Sequence, residues 1–96
     1  RARGALTQAL REVADAATSK QALGERLGRA QEAARAADAA WTVASNRYRG
    51  GLATYLDVLV AEDALIAARR TVASLQTRAF ALDVALVRAL GGGFRF

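Results

Sequence analysis

The residues best suited to local chemistry lie just past the middle of the chain, in the stretch RYRGGLATYLDVL, residues 47–59. Two adjacent glycines interrupt a helical pattern there, and Gly50 or Gly51 can adopt the left-handed conformation that ends a helix. Thr54 and Asp57 form a T-x-x-D pair, in which each side chain can accept a hydrogen bond from the other residue's backbone amide. The stretch therefore predicts a turn between two helices, with a carboxylate where the helix dipole favours it.

Catalytic and metal-binding chemistry is not indicated. The sequence has no histidine and no cysteine, which removes the commonest metal ligands, the thiol nucleophile and the side chain that titrates near neutral pH. No motif offers an acid, a base and a nucleophile at a spacing that would bring them together. We predict that the chain is not an enzyme and that it has no metal site and no cofactor.

The net charge raises the question of a polyanionic partner. Fourteen Lys and Arg residues stand against nine Asp and Glu residues, for a net charge of +5. The basic residues are spread over both halves and alternate with acids, whereas a nucleic-acid-binding helix gathers them on one face. We predict no nucleic-acid partner. A helix lying on a membrane surface remains an alternative that would require basic residues beside one apolar face.

Two long helical arms must position the turn. The chain has no proline, and its wealth of alanine, leucine and arginine is typical of long helices. The predicted fold is all-α, a long antiparallel two-helix coiled-coil hairpin. Its single domain, 1–96, consists of helix 2–49, turn 50–54, helix 55–90 and a C-terminal tail 91–96. The glycines of that tail are expected to end the second helix.

The second arm repeats apolar residues every seven positions, with another set three residues after the first, which predicts a coiled-coil seam. The larger members of this helix-packing seam are Val58, Leu65, Val72, Leu75, Leu82 and Leu86. A second apolar row runs beside the seam and consists of Leu59, Ile66, Ala73, Phe80 and Val87. One partner helix needs only about two apolar residues in seven, so this arm is expected to contact two neighbours.

The first arm has a matching seam, with alanine at many positions between its larger residues. The seam residues that recur every seven positions are Leu6, Val13, Lys20, Leu27, Ala34, Trp41 and Tyr48. Lys20 interrupts the seam and marks either a register fault or a position open to water. Gly24 and Gly28 mark either a bend or surface positions where glycine is tolerated.

No targeting or membrane-spanning segment is predicted. The sequence contains no methionine, which suggests that it is a segment of a longer protein. It has no run of about eighteen uninterrupted apolar residues and no signal-peptide pattern.

The turn and the second arm resemble the closing helical hairpin of TolC-like outer-membrane factors, the exit ducts of tripartite efflux pumps and type I secretion systems. The family pattern R-Y-x-x-G-x-x-[ST]-Y-L-x-V-L-x-A is matched from Arg47 to Ala61. The A-L-G-G-G that closes the family's helix is matched by residues 89–93. Upstream, ALREVADA, residues 9–16, is similar to the segment that opens the family's periplasmic helix.

The resemblance implies a structural role in a channel. In this family three protomers form an outer-membrane barrel that continues as a periplasmic tunnel of helices. This chain would supply one hairpin of the tunnel wall in a homotrimer of the outer membrane. Its tip would face the tunnel entrance and dock the periplasmic adaptor (membrane fusion protein) of an inner-membrane pump; the tip residues are Gly51, Leu52, Ala53 and Thr54. The isolated fragment is expected to self-associate.

Two further residues match entrance positions of the family. Tyr48 takes the place of a tyrosine that helps hold the entrance closed in some members, and Asp57 takes that of an acidic constriction ring. Each also has a simpler role open to it: packing for Tyr48 and helix capping for Asp57. Ala53 and Val60 stand where some members have a gate arginine and a second ring aspartate, so the gate is expected to be looser and less acidic.

The alternative is a coiled-coil hairpin of a periplasmic adaptor or of another helical scaffold. An adaptor hairpin is normally flanked by the halves of a lipoyl-like domain. No strand pattern and no lipoyl signature flank this hairpin in the sequence, which favours the channel.

Overall fold

The chain folds as two α-helices joined by a short turn. The structure, a computed structural model, describes residues 2–93. Helix α1 is Ala2–Arg49 and helix α2 is Tyr55–Gly93. Residues 2–93 contain no strand, and the predicted all-α helical hairpin is confirmed.

Helix α2 ends later than the sequence predicts. The expected end was Leu90, but the helix continues to Gly93, so that expectation was wrong. Each glycine in a helix costs about 1 kcal/mol relative to alanine. Glycine nevertheless reaches helical dihedral angles without strain, and no proline follows to block the next turn. The three glycines therefore weaken the last turn without ending it. The remainder of the predicted tail, 94–96, lies outside the described residues.

The chain divides into two compact units. One contains the stretch up to Arg26 and the stretch from Leu75 onward. The other is Leu27–Ser74, which includes the turn. Each unit thus contains a part of α1 packed on a part of α2.

The two helices meet in both units. In the unit with the turn, the rings of Tyr48 and Tyr55 are in contact, with centroids 5.6 Å apart. In the other unit, Lys20 Nζ lies 2.9 Å from Asp83 Oδ1. Each unit therefore has its own contact between the two helices.

Few side chains are fully covered in this fold. Among the described residues, the buried apolar side chains are Val58, Leu65 and Leu75, with 9%, 5% and 5% of their surface exposed. The remaining large seam residues of α2 are half-buried: Val72, Leu82 and Leu86. On α1, the half-buried seam residues include Val13, Leu23, Leu27, Ala34 and Trp41. The two apolar seams are thus the faces on which the helices pack.

The predicted seam of α1 was wrong at two positions, because Leu6 and Tyr48 are exposed. Leu6, in the unit without the turn, has 62% of its surface exposed. Lys20 is a position open to water and not a register fault, since half of its side chain is exposed and it pairs with Asp83. Tyr48 lies at the opposite end of α1, where the turn leaves little to cover its ring.

The second apolar row of α2 remains exposed. Ile66 is 40% exposed, Phe80 71% and Val87 69%. A row of this kind, running beside an occupied seam, leaves α2 with an apolar face that α1 does not cover. Within residues 2–93, neither helix has a stretch long and apolar enough to cross a membrane.

The glycines inside α1 make no close contact. Gly24 and Gly28 are exposed, and apart from the neighbouring residues and backbone of α1, no described atom lies within 4 Å of where a Cβ would stand at either position. They are surface positions where glycine is tolerated, as one of the two sequence interpretations proposed.

Candidate functional site

Helix α1 ends in a pair of backbone hydrogen bonds that fold the chain back on itself. The amide of Gly51 donates to the carbonyl of Tyr48 at 3.0 Å, and the amide of Leu52 donates to the carbonyl of Arg47 at 2.7 Å. These two bonds are those of a Schellman motif, which satisfies carbonyls that the helix end would otherwise leave unpaired. The end of α1 is therefore rigidly defined by local chemistry.

Gly51 is the residue that makes this motif possible. Its φ is +78°, in the left-handed region that glycine occupies without the Cβ clash that other residues suffer. Apart from Gly51 itself and its two chain neighbours, no described residue has an atom within 4 Å of where a Gly51 Cβ would stand, so a side chain there would be opposed by the backbone conformation and not by crowding. Of the two glycines that the sequence offered, Gly51 is the one in the left-handed conformation.

Helix α2 begins with a reciprocal cap. The amide of Thr54 donates to Asp57 Oδ2 at 3.0 Å, and the amide of Asp57 donates to Thr54 Oγ1 at 3.3 Å. The Asp57 amide also lies 3.1 Å from the Thr54 carbonyl oxygen. The capping box predicted from the sequence is confirmed, and the Asp57 carboxylate lies in the first turn, where the helix dipole stabilises it.

Asp57→Ala is expected to lower the free energy of unfolding by about 0.5–2 kcal/mol. The reason is that the Thr54 amide loses its acceptor and the first turn of α2 loses its carboxylate. Urea denaturation at a fixed protein concentration measures the change. Asp63→Ala is the matched control, since Asp63 is an exposed aspartate of the same helix outside the cap. Equal losses for the two variants would contradict the capping role.

The two tyrosines that flank the turn form an aromatic pair. The rings of Tyr48 and Tyr55 are tilted by 51° with centroids 5.6 Å apart, within the range in which aromatic rings attract one another. Both residues are partly open to solvent: 45% of the surface of Tyr48 and 58% of that of Tyr55 are exposed. Neither tyrosine hydroxyl makes a hydrogen bond to another described residue. Tyr48 thus packs on Tyr55, and its hydroxyl is left available.

The apex of the turn is apolar and exposed. Leu52 has 74% of its surface exposed, although its backbone is held by the bond to Arg47. Gly51 and Thr54 are also exposed, and Ala53 is half-buried. The four tip residues are therefore one contiguous stretch that presents a leucine to solvent from a rigid backbone.

A shallow depression lies beside the turn. Alanine and valine side chains form most of its lining, with one cation and one anion among them; the lining residues are Ala40, Val43, Ala44, Arg47, Ala53 and Asp57. Neither this depression nor the contact between Tyr48 and Tyr55 was predicted from the sequence, because both combine residues of the two helices.

The acidic side chains of the described residues are not gathered into a metal-binding group. No group of three or more Asp and Glu residues within residues 2–93 is arranged to hold a metal ion. The features that stand out are a stiff turn, an exposed leucine and an apolar row along α2.

Comparison with known proteins gives a consistent result. Residues 1–92 match the outer membrane efflux protein family. The chain is 33% identical over 90 residues to the cation efflux system protein CusC of Escherichia coli O157:H7, covering 94% of this chain and 20% of that protein. It is 35% identical over 86 residues to the toluene efflux pump outer membrane protein TtgF of Pseudomonas putida, covering 90% of this chain and 18% of that protein.

A solved structure has the same fold. The crystal structure of the outer membrane protein VceC from Vibrio cholerae superposes with a TM-score of 0.81 at 55% sequence identity. The match covers 97% of this chain and 23% of VceC. The chain therefore spans about a fifth of the length of the relatives it matches.

Proposed function

Because the chain belongs to the outer membrane efflux protein family, we propose that it forms one helical hairpin in the wall of a periplasmic tunnel, in a trimeric channel of a tripartite efflux or type I secretion system. The resemblance to TolC-like outer-membrane factors is confirmed by the family match and by the likeness to VceC. The expected location, in the periplasmic portion of an outer-membrane protein, is confirmed by the same relatives. The family consists of efflux proteins and not of enzymes.

The exposed apolar row of α2 supports a place in a wall of helices. One side of α2 packs on α1 through Val58, Leu65 and Leu75, and the neighbouring row is left uncovered. A helix in a closed wall has a neighbour on each side, so both rows would be buried in the assembled protein. The names of the relatives refer to cations in one case and to toluene in another, which fits a wall element that does not select the cargo.

The isolated chain is expected to self-associate, because the exposed row would otherwise stay in water. Sedimentation at increasing protein concentration measures the association. The double variant Phe80→Gln with Val87→Gln should weaken self-association, because it makes polar the two residues of the row that lie farthest along α2 from the turn. Arg69→Gln with Arg70→Gln, on the exposed polar face, is the matched control and should associate as the parent does. A compact monomer at high concentration would contradict the proposal.

The tip is proposed to dock the periplasmic adaptor of an inner-membrane pump. The observation that carries this step is the exposure of Leu52, 74% of whose surface faces solvent while its backbone is held by hydrogen bonds. A large apolar side chain at the apex of a rigid turn gains burial only when another molecule covers it. We therefore expect the turn to be folded before the adaptor binds, with Leu52 already exposed for the contact.

Tyr48 and Asp57 are proposed to line the tunnel entrance. The free Tyr48 hydroxyl supports a hydrogen bond to a neighbouring copy, and the exposed Asp57 carboxylate keeps one oxygen that the cap does not use. In the assembled protein, Asp57→Ala would then raise passive leakage or change the cation preference of the channel. Single-channel recording in planar bilayers measures both.

A photo-crosslinking experiment tests the docking proposal. The photo-reactive residue p-benzoylphenylalanine replaces Leu52 in the full-length protein, which is produced in its own cells. In the control it replaces Gln76, an exposed polar residue in the middle of α2. The Leu52 probe should crosslink to a periplasmic adaptor, identified by mass spectrometry, and the Gln76 probe should not. Crosslinks from Leu52 to copies of the same protein alone would rule out docking at the tip.

The alternative, a hairpin of a periplasmic adaptor or another scaffold, has less support. The match over residues 1–92 is to outer membrane efflux proteins, and the relatives named above include proteins described as belonging to the outer membrane. We therefore favour the channel wall over the adaptor hairpin.

A further inference from the structure

We infer that the partner surface docked by the tip is an apolar recess flanked by carboxylates. The inference rests on the proposed function, because it specifies the chemistry of the partner that meets the turn. The surface concerned, which we name the cationic tip, consists of Arg47, Arg49 and Leu52.

Leu52 is the apolar anchor of the cationic tip. In a Schellman motif the residue at this position commonly packs back on the last turn of its own helix. Here the facing residue is Arg47, and Leu52 keeps 74% of its surface exposed. Because the backbone of Leu52 is already held at 2.7 Å from the Arg47 carbonyl, little conformational freedom would be lost when a partner covers the side chain. A recess of leucine size on the partner is the matching shape.

Arg47 and Arg49 place positive charge in the last turn of α1, next to the turn that carries that anchor. Residues two apart on a helix do not face each other, so the two guanidinium groups leave α1 in different directions. Both side chains are exposed, and neither has an ion pair or a hydrogen bond with another described residue. The cationic tip thus offers two guanidinium groups that form no ion pair with another described residue.

A single carboxylate lies near the two arginines in the sequence. Asp57 is the only acidic residue between Arg47 and Val58, and its Oδ2 accepts the Thr54 amide. The charge at the turn is therefore positive on balance. A partner that supplies carboxylates can form charge-assisted hydrogen bonds with the two guanidinium groups, and a partner with basic residues there would be repelled.

A charge-reversal pair tests the inference in the full-length protein with its own pump. Arg47→Glu with Arg49→Glu should reduce export about tenfold or more, since like charges then face each other across the interface. Arg69→Glu with Arg70→Glu is the matched control, because it changes the net charge equally at two adjacent exposed positions away from the turn. The control should export as the parent does, and the trimer yield of both variants should equal that of the parent.

Crosslinking from Leu52 separates this inference from the docking proposal. If the parent crosslinks to an adaptor and the Arg47 and Arg49 variant crosslinks about tenfold less, the carboxylate partner is supported. If the variant crosslinks and exports like the parent, the charge inference is overturned and docking at the tip stands. If the parent crosslinks to no adaptor, the docking proposal fails, and this inference falls with it.

A compensating change in the partner completes the test. The crosslinked peptide of the adaptor locates the recess, and its nearest Asp or Glu is changed to Arg. This change should restore export and crosslinking to the Arg47 and Arg49 variant while impairing the parent. A recess with no Asp or Glu near the crosslink, or a failure of the basic substitution to restore export, would overturn the inference.

Discussion

Gly51→Val in the full-length protein should abolish export and leave assembly in the outer membrane intact. With φ at +78°, Gly51 occupies a region that costs a β-branched residue about 1–3 kcal/mol. Relief of that strain would break the bonds from the amides of Gly51 and Leu52 and move the leucine at the apex. The long seams on either side would still hold the helices together, so the loss would be one of tip geometry.

Gly50→Ala is the control for this effect. Among the described glycines, Gly51 is the one with positive φ. A Cβ at Gly50 would lie 3.5 Å from the Asn46 carbonyl oxygen and 3.7 Å from that of Arg47, which is ordinary contact. Gly50→Ala should therefore export normally. Export and trimer yield are measured for both variants. Normal export by Gly51→Val would mean that the turn only connects two helices.

Leu65→Ala should cost about 2–4 kcal/mol of the free energy of unfolding. Leu65 is 5% exposed and is one of three buried apolar residues in the described chain. Its truncation leaves a cavity in a seam with little other fully buried surface to compensate. A loss of this size is a large fraction of the stability of a small domain, so the variant is expected to unfold near room temperature at low urea concentrations.

The comparison for Leu65→Ala is the same substitution at an exposed leucine. Leu56 is 66% exposed and lies on the same helix, so Leu56→Ala should change stability by less than about 0.5 kcal/mol. Urea denaturation is followed at one fixed protein concentration, because self-association makes the apparent stability depend on concentration. Equal losses at the two positions would show that the seam does not hold this hairpin together.

The sequence by itself determined the turn and the start of α2. The interactions involved connect residues close together in the chain: Thr54 and Asp57 are three apart, and Arg47 and Leu52 are five apart. Such contacts depend on backbone geometry and residue type within one or two helical turns. The capping box, and a left-handed glycine at position 50 or 51, could therefore be predicted before any packing was known. The heptad pattern likewise identified Val58, Leu65 and Leu75 as seam positions, because it marks the residues that return to one side of a helix.

Contacts between the two helices were decided by the tertiary structure. The Lys20 and Asp83 pair joins residues from opposite ends of the chain, and it turned an apparent fault in the seam into an exposed ion pair. Tyr55 became the partner of Tyr48, and the depression beside the turn formed from both helices. None of these can be read from one helix at a time, because the register between two helices is a property of the pair.

The extent of burial also depended on the tertiary structure. Leu6 follows the same seven-residue pattern as Trp41, yet Leu6 is exposed and Trp41 is half-buried. The pattern states which side of a helix a residue occupies, whereas burial also requires another part of the protein to cover that side. The same holds for the two apolar rows of α2, of which one packs on α1 and the other, with Phe80 and Val87, is left exposed. Apolar burial has no direction of its own, so the neighbours present decide which apolar residues leave the solvent.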